Sequence, residues 1–136
     1  MVRRIRCDIT TLFPDHVDEN GVLYNWLGDE IRGQRFEKAS TYCGIAGQDI
    51  VGHYHEQRWE IYFCVYGKSK MALYDRVAKD SAVFEFVRGI WVVIPPGIVH
   101  ELKFETDTIF EIASTTVRFK HLDTTVKHSL SHLFQN

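Results

Sequence analysis

Three histidines and one glutamate are the residues of this sequence whose types and spacing suggest chemistry. His53 and His55 stand two apart, and Glu60 follows five residues after the second histidine. Alternate residues of a β-strand share one face, so the two histidines would point the same way with Cα atoms about 6.5–7 Å apart. That separation lets two imidazoles converge on one metal ion. If the next strand folds back as a hairpin, Glu60 lies beside them, and three ligands on one face leave coordination positions open.

His100 is the fourth candidate ligand. It follows a sharp turn predicted at 95–97 and stands after the apolar residues Ile98 and Val99. A buried polar group without a partner costs on the order of 1–3 kcal/mol, and metal ligation would supply a partner here. A single histidine in such a strand is more often a satisfied core or rim residue, so the prediction depends on the four residues together.

The set His53, His55, Glu60 and His100 predicts a site for one divalent transition-metal ion. Three imidazoles and one carboxylate suit Zn, Fe, Mn, Ni or Co, and the sequence does not choose among them. The candidates include no cysteine, which argues against a closed structural zinc site. The three cysteines of the chain show no CxxC spacing and their number is odd, so we expect reduced thiols rather than a disulfide framework.

Short β-strands are the elements that must position these residues. From residue 34 onward, strand-like runs alternate with glycine, proline and aspartate turn signals. We predict strands at about 35–43, 49–55, 59–66, 69–75, 81–87, 90–94, 99–104 and 108–117. Many short strands at regular spacing predict an all-β sandwich or barrel. After the potential N-cap Asp123, helical spacing of Val126, Leu130 and Leu133 predicts a short amphipathic C-terminal helix.

The four candidate ligands fall within two motifs that resemble those of the cupin superfamily. The first motif, G-(x)n-H-x-H-x(3,4)-E-x(6)-G, is matched by Gly47, His53, His55, Glu60 and Gly67, and the second, G-x(5)-P-x-G-x(2)-H, by Gly89, Pro95, Gly97 and His100. The trailing asparagine of the second motif is replaced by Phe104. The resemblance implies an all-β fold, the double-stranded β-helix or jelly-roll barrel, with the short C-terminal helix added. It also implies a single domain over residues 1–136, with a barrel core at about 34–118.

Alternation along the strands predicts which side chains line the barrel lumen. If Glu60 faces the lumen, Tyr62 and Cys64 face it too, while Ile61 and Phe63 face outward. These outward residues are large and apolar, so that face of the sheet must be covered. In so small a protein we expect the cover to be a second subunit, which predicts a homodimer.

Further side chains are candidates for substrate binding and proton transfer. Gln57 and Arg58 lie at the mouth of the predicted hairpin, where Arg58 would bind an anionic substrate or stand as a solvated turn residue. Tyr62 would act as an acid or pack with a satisfied hydroxyl. Glu111 interrupts an apolar run and would be a lumenal base or an edge residue. Glu101 is out of phase with the candidate ligand beside it and is expected to face solvent.

Composition limits the partners that this chain can have. Its 136 residues, with 45% hydrophobic and 25% charged residues and a net charge of −2, have the profile of a soluble globular domain. No basic surplus points to nucleic acid or to an anionic membrane. The apolar run near 90–96 is too short to span a bilayer and the N-terminus has no signal-peptide pattern, so we expect a cytoplasmic protein.

The local wording of the motifs resembles the sugar-modifying branch of the cupins. Residues 53–55, 60–62 and 65–68 look like segments of cupin-type phosphoglucose and phosphomannose isomerases, and 94–100 looks like the cupin domains of polysaccharide-biosynthesis epimerases. The resemblance implies a metal-dependent isomerase or epimerase whose small-molecule substrate is a sugar or nucleotide-sugar. The rhamnose-pathway epimerases differ, because they lack the metal and use a His–Asp pair. Two alternatives stay open: a non-haem iron dioxygenase of a small organic acid or thiol, and a non-enzymatic small-molecule-binding or sensor protein.

Overall fold

β-Strands make up nearly all the regular structure of the computed structural model, which describes residues 4–116 and 123–135. The strands are β1 (Asp8–Thr11), β2 (His16–Asp18), β3 (Gly21–Leu23), β4 (Lys38–Gly44), β5 (Asp49–His55), β6 (Glu60–Tyr66), β7 (Lys68–Asp75), β8 (Asp80–Val87), β9 (Ile90–Ile94), β10 (Ile98–Phe104), β11 (Thr108–Ser114) and β12 (Thr125–Lys127). A 3₁₀ helix, Ser131–Phe134, follows the last strand.

Ten of these strands form two antiparallel five-stranded sheets with the core between them. The first sheet has the order β1-β9-β6-β11-β4 and the second has the order β12-β5-β10-β7-β8, while β2 and β3 form a separate hairpin. Between β4 and β11 the chain passes from one sheet to the other at almost every turn. This winding is that of a double-stranded β-helix, or jelly roll, and the predicted all-β fold is confirmed.

Alternate residues of both sheets point into the space between them. On β6, Tyr62 and Cys64 belong to the central apolar cluster, together with Leu73 and Phe86 of the second sheet and Phe110 of the first. The predicted lumenal phase of β6 is therefore confirmed. Both faces of the central strands are apolar, so each sheet also needs a cover on its outer side.

Gly67 makes the tight connection between β6 and β7. Its φ angle is +89°, in the region that side chains with a Cβ rarely adopt, and a Cβ there would overlap the Asp107 carbonyl oxygen. Only glycine allows the two loops to approach so closely. The turn sets the register of β6, whose first residue is Glu60.

The chain covers the outer face of the first sheet by itself. Phe63 is only 1% exposed, because Trp26 stacks on it with ring centroids 5.7 Å apart, and Trp91 Nε1 donates a hydrogen bond of 2.9 Å to the Trp26 carbonyl oxygen. Leu27, Ile31 and Phe36 extend the same outer layer. The expectation that a second subunit must cover this face is therefore wrong, since the segment that precedes β4 does so.

The outer face of the second sheet is covered by the C-terminal residues. The helix predicted from Asp123 is present only as the short 3₁₀ turn, because Thr125–Lys127 pair with β5 as an edge strand instead. The β-branched residues there favour a strand, and Leu130 is still buried against Tyr54 and Val99. Within the described part of the chain, no helix is long and apolar enough to cross a membrane.

Candidate metal centre

The four predicted ligands come together at one end of the lumen. His53 and His55 lie on β5, and His100 lies on the adjacent β10 directly opposite His53. One ring nitrogen from each histidine lies within 4.8 Å of the others. Glu60 opens β6 in the facing sheet and reaches across to two of the histidines. The hairpin geometry expected from the sequence therefore brings the residues together, with ligands drawn from both sheets.

The proline-rich turn before β10 is attached to the strand that carries the first two histidines. The Gly97 backbone N–H donates a hydrogen bond of 2.8 Å to the His55 carbonyl oxygen. Gly97 has a φ angle of +84°, so the sharp turn requires glycine at this position. The second motif thus fixes the start of β10, and with it the position of His100, relative to β5.

Hydrogen bonds at Nδ1 orient all three imidazoles. His53 Nδ1 lies 2.9 Å from the Val51 carbonyl oxygen, and His100 Nδ1 lies 3.1 Å from the Ile98 carbonyl oxygen. A carbonyl oxygen only accepts, so a neutral imidazole must carry its hydrogen on Nδ1 and leave a bare lone pair on Nε2. Histidines that ligate metals commonly use such an outer hydrogen bond.

The contact between His100 and Glu60 is the observation that tests whether a cation fits. His100 Nε2 and Glu60 Oε1 are 3.3 Å apart, and both are buried without a hydrogen-bond partner in the described structure. With Nδ1 protonated, this contact places two acceptor atoms against each other. His55 Nε2 lies at the same distance, 3.3 Å, from Glu60 Oε1. A divalent cation held by these atoms would satisfy them, so the donor set fits the predicted metal.

The electrostatics of these side chains also favour ligation. Burial raises the pKa of the Glu60 carboxyl, but the neighbouring His100 and His55 imidazoles outweigh it and hold the pKa well below its usual range. Burial, and then the proximity of His100, lower the pKa of His53 below its ordinary value. A carboxylate that stays ionised and an imidazole that stays neutral are the forms that bind a divalent ion.

Tyr62 lies deeper in the lumen beside this cluster. Its ring is 5.5 Å from the His100 ring in an edge-on arrangement and stacks on Phe110 at 5.3 Å. Burial, with a smaller contribution from the Glu60 charge, raises the pKa of Tyr62 well above its ordinary value. The phenol therefore holds its proton at neutral pH, as an acid or hydrogen-bond donor would.

Gln57 and Arg58 occupy the β5–β6 turn, as predicted, but Arg58 is already paired. Its NH2 lies 3.0 Å from Asp123 Oδ2, and Asp123 Oδ1 accepts the Gln57 backbone N–H at 3.1 Å. The Gln57 residue is exposed. This arrangement gives Arg58 a structural partner from the C-terminal residues that sequence reasoning did not identify.

The prediction that Glu111 faces the lumen is wrong. Its neighbour Phe110 points inward, so Glu111 points outward, where Thr41 Oγ1 donates a hydrogen bond of 2.8 Å to it. There it lines an outer cavity of about 380 Å³ together with Trp26, Phe63 and Arg88. Glu101, expected to face solvent, is instead 1% exposed beneath the C-terminal residues. Both strands are apolar on two faces, so alternation alone does not give their phase.

Sequence reasoning missed one contact to the candidate ligands. Thr125 of β12 lies opposite His55, and Thr125 Oγ1 is 3.1 Å from His55 Nδ1. The two residues are 70 positions apart in the chain. No local pattern could pair them, because the segment that contains Thr125 carries a helix-like apolar spacing.

Comparison with known proteins establishes the fold. No protein-family model and no curated protein sequence matches the chain. Among solved structures, it is similar to the WlaRB TDP-quinovose 3,4-ketoisomerase from Campylobacter jejuni, with 14% identity, a TM-score of 0.74 and coverage of 90% of this chain and 93% of that one. It is also similar to QdtA, a sugar 3,4-ketoisomerase from Thermoanaerobacterium thermosaccharolyticum in complex with TDP, with 12% identity, a TM-score of 0.72 and coverage of 89% and 88%.

A third similar structure belongs to an epimerase. It is the dTDP-4-dehydrorhamnose 3,5-epimerase from Sulfolobus tokodaii, with 18% identity, a TM-score of 0.73 and coverage of 89% of this chain and 74% of that one. QdtA has also been solved with TDP-4-keto-6-deoxyglucose. At these identities the likeness concerns the fold, and the chain has the jelly-roll fold of the cupins.

Proposed function

We propose that this chain is a metal-dependent isomerase or epimerase that acts on a sugar or nucleotide-sugar. The observation that carries the proposal is the buried Glu60 carboxylate facing the Nε2 atoms of His55 and His100, with Tyr62 beside them in the lumen. The class of substrate is supported by the names of the structural neighbours, which are sugar ketoisomerases and epimerases.

The metal would be held by His53, His55, Glu60 and His100. When bound, a divalent ion such as Zn, Fe, Mn or Ni supplies Lewis-acid chemistry that polarises a carbonyl group. Isomerisation or epimerisation beside a carbonyl requires removal of a proton from the adjacent carbon and its return to another position or face. The chain must therefore hold the substrate, keep bulk water away and move that proton.

Tyr62 is the residue that we propose for proton transfer. It is buried, it keeps its proton at neutral pH, and it lies next to His100. Glu111 has no such role in the proposal, since it lies outside the lumen. Gln57 and Arg58 would contact the polar part of the substrate at the rim of the site, and Arg58 would do so while it remains paired with Asp123.

The metal is tested by elemental analysis of the purified protein beside His53→Ala and His100→Ala. We expect close to one equivalent of a transition metal in the wild type and its loss in both variants. His16→Ala is the matched control, because His16 is an exposed histidine that pairs with Asp18 in the hairpin β2–β3. Absence of metal from the wild type, even after incubation with Fe, Mn, Ni and Zn, would contradict the proposal.

The reaction is tested with TDP-4-keto-6-deoxyglucose in deuterated water under anaerobic conditions. We expect nuclear magnetic resonance to show deuterium uptake at a carbon adjacent to the carbonyl. Tyr62→Phe should slow the uptake by about 10²–10⁴-fold at unchanged metal content, because it removes the proton-transfer group. Glu111→Gln should leave the rate unchanged. Substrate loss that requires oxygen would favour the dioxygenase, and tight binding without turnover would favour a sensor.

A further inference from the structure

The C-terminal residues 123–131, which we call the C-terminal strap, lie along the strand that carries two of the candidate ligands. Thr125 pairs with His55 and Lys127 pairs with His53 in the β12–β5 register. The Glu56 backbone N–H donates to the Thr124 carbonyl oxygen at 3.1 Å. The strap therefore follows β5 over the whole stretch that supplies the imidazoles.

A buried carboxylate fastens the far end of the strap. Glu101 Oε1 accepts the backbone N–H of Gly52 at 2.8 Å and that of Leu130 at 2.9 Å. A carboxylate that is 1% exposed needs such donors, because the cost of leaving it buried and unsatisfied is large. Gly52 lacks a Cβ, and a Cβ there would overlap the His128 carbonyl oxygen. Strap and β5 are thus shaped for close contact.

The other end of the strap is held by Asp123. Its carboxylate accepts the Gln57 backbone N–H and hydrogen bonds from Arg58 Nε and NH2, at distances of 3.0–3.2 Å. The strap is therefore anchored on both sides of Thr125. With the backbone fixed in this way, the Thr125 hydroxyl is held 3.1 Å from His55 Nδ1.

Thr125 differs from the partners of the other two histidines. His53 and His100 face backbone carbonyls, which only accept and so require the hydrogen on Nδ1. A threonine hydroxyl can accept or donate, so His55 can carry its hydrogen on either nitrogen. With the hydrogen on Nε2, His55 donates to Glu60, and with the hydrogen on Nδ1, it donates to Thr125 and frees Nε2 for a metal.

We propose that Thr125 is a positioning residue of the metal centre, and that the C-terminal strap holds its hydroxyl where it accepts the His55 Nδ1–H and presents His55 Nε2 to the metal. This inference rests on the proposed metal site. It assigns a role to a segment that the ligand motifs do not include. Metal affinity then depends on strap docking and, by reciprocity, metal binding stabilises the docked strap.

The test measures Zn²⁺ affinity of metal-free protein by competition with a chromophoric chelator. Thr125→Val keeps the shape of the side chain but removes the hydroxyl, and we expect it to weaken affinity by about 10–100-fold, as outer-shell changes do. Thr125→Ser keeps the hydroxyl and should stay within about threefold of the wild type. Thr124→Val is the matched control on the same strap, since Thr124 is an exposed threonine beside the positioning residue.

Two further readouts separate positioning from general destabilisation. The unfolding temperatures of the metal-free variants should match that of the wild type, and Zn²⁺ should slow amide hydrogen exchange in the strap of the wild type more than in that of Thr125→Val. Equal affinity of the wild type and Thr125→Val would overturn this inference and leave the proposed function standing. Equal losses in Thr125→Ser or Thr124→Val would overturn it in favour of packing. A wild type that binds no Zn²⁺ would overturn both proposals.

Discussion

At the scale of single residues, the candidate site is organised by atoms that lie behind the ligands. The carbonyl oxygens of Val51 and Ile98 each belong to a residue two positions before the histidine they orient, so each bond is local to its strand. Preorganisation of His53 and His100 therefore comes with the strands themselves. Glu60 is different, because it crosses from the other sheet and meets His100 without a hydrogen atom between them.

Glu60→Gln should separate the metal requirement from the stability of the fold. In the presence of a chelator and at mildly alkaline pH, where imidazoles are neutral, the new amide N–H can donate to His100 Nε2. We expect the metal-free variant to gain about 1 kcal/mol and to unfold roughly 3–5 °C higher than the wild type. Its metal affinity should fall by more than the roughly 10–100-fold of outer-shell changes, because a charged ligand is lost.

Calorimetry and metal titration of the same samples check both halves of this prediction. Glu56→Gln is the control, since Glu56 is an exposed glutamate of the adjoining turn. A lower unfolding temperature for Glu60→Gln would mean that the wild-type carboxylate is already satisfied by a protonated imidazole.

The ligands could be predicted from the sequence, whereas other side chains of the site could not. His53, His55 and Glu60 share one strand–turn–strand unit, so period-two alternation fixes their common face. Glu111 lies in a strand that is apolar on both sides, and its phase depends on the partner that β11 finds in β6. That pairing places Glu111 opposite Phe63, which faces outward. A long-range register of this kind is not encoded in local spacing.

At the scale of elements, turn residues made the strands predictable and tertiary pairing decided the ends of the chain. Runs predicted at 49–55 and 90–94 coincide with β5 and β9, because turn signals bound both of them. The C-terminal residues have apolar spacing that suits a helix, but the free edge of β5 offers backbone hydrogen bonds to Thr125–Lys127. The edge pairing outweighs a weak local preference for helix.

Asp75 shows how one carboxylate joins elements, and it makes the stability of the fold dependent on pH. It ends β7, is fully buried, and accepts hydrogen bonds from Arg6 and from the turn amides of Val77 and Ala78. Burial raises its pKa, but Arg6 and these amides outweigh burial and lower the pKa from 3.8 to about 2. Because the folded-state pKa is lowered, the stabilisation is complete above the unfolded-state pKa and is lost as the pH falls toward about 2.

We therefore expect Asp75→Asn to destabilise the fold by about 2 kcal/mol at neutral pH, since charge-assisted hydrogen bonds are lost. The difference from the wild type should shrink as the pH falls from about 4 to about 2, where the wild-type carboxylate becomes protonated. Urea unfolding at a series of pH values measures both effects. Asp49→Asn, at an exposed position, should unfold as the wild type does. A difference that stays constant with pH would contradict this role for Asp75.

At the scale of the whole molecule, the candidate centre joins the two sheets. His53, His55 and His100 belong to the second sheet and Glu60 belongs to the first. A ligand that binds only the folded chain stabilises it in proportion to the logarithm of its concentration above Kd. The site and the jelly roll are therefore coupled, and the same strands that close the barrel also bring the four side chains into reach.

The whole molecule also leaves one element without apolar cover, and this supports the proposal of a homodimer. The hairpin β2–β3 forms its own two-stranded sheet, and such a hairpin is only marginally stable alone. Apolar residues on it and beside it are exposed, including Phe13 at 84% and Val17 at 63%. A second copy that presents the same surface would cover them in an isologous contact.

Light scattering after gel filtration tests this proposal. We expect the wild type to have about twice the chain mass of 15.9 kDa and Val17→Asp to have the mass of one chain, because a charge would be buried in the contact. Val77→Asp is the matched control, since Val77 is an equally exposed valine in the β7–β8 turn, away from the hairpin, and it should remain dimeric. A monomeric wild type at high concentration would show that the hairpin serves some other contact, and dissociation by Val77→Asp would place the interface elsewhere.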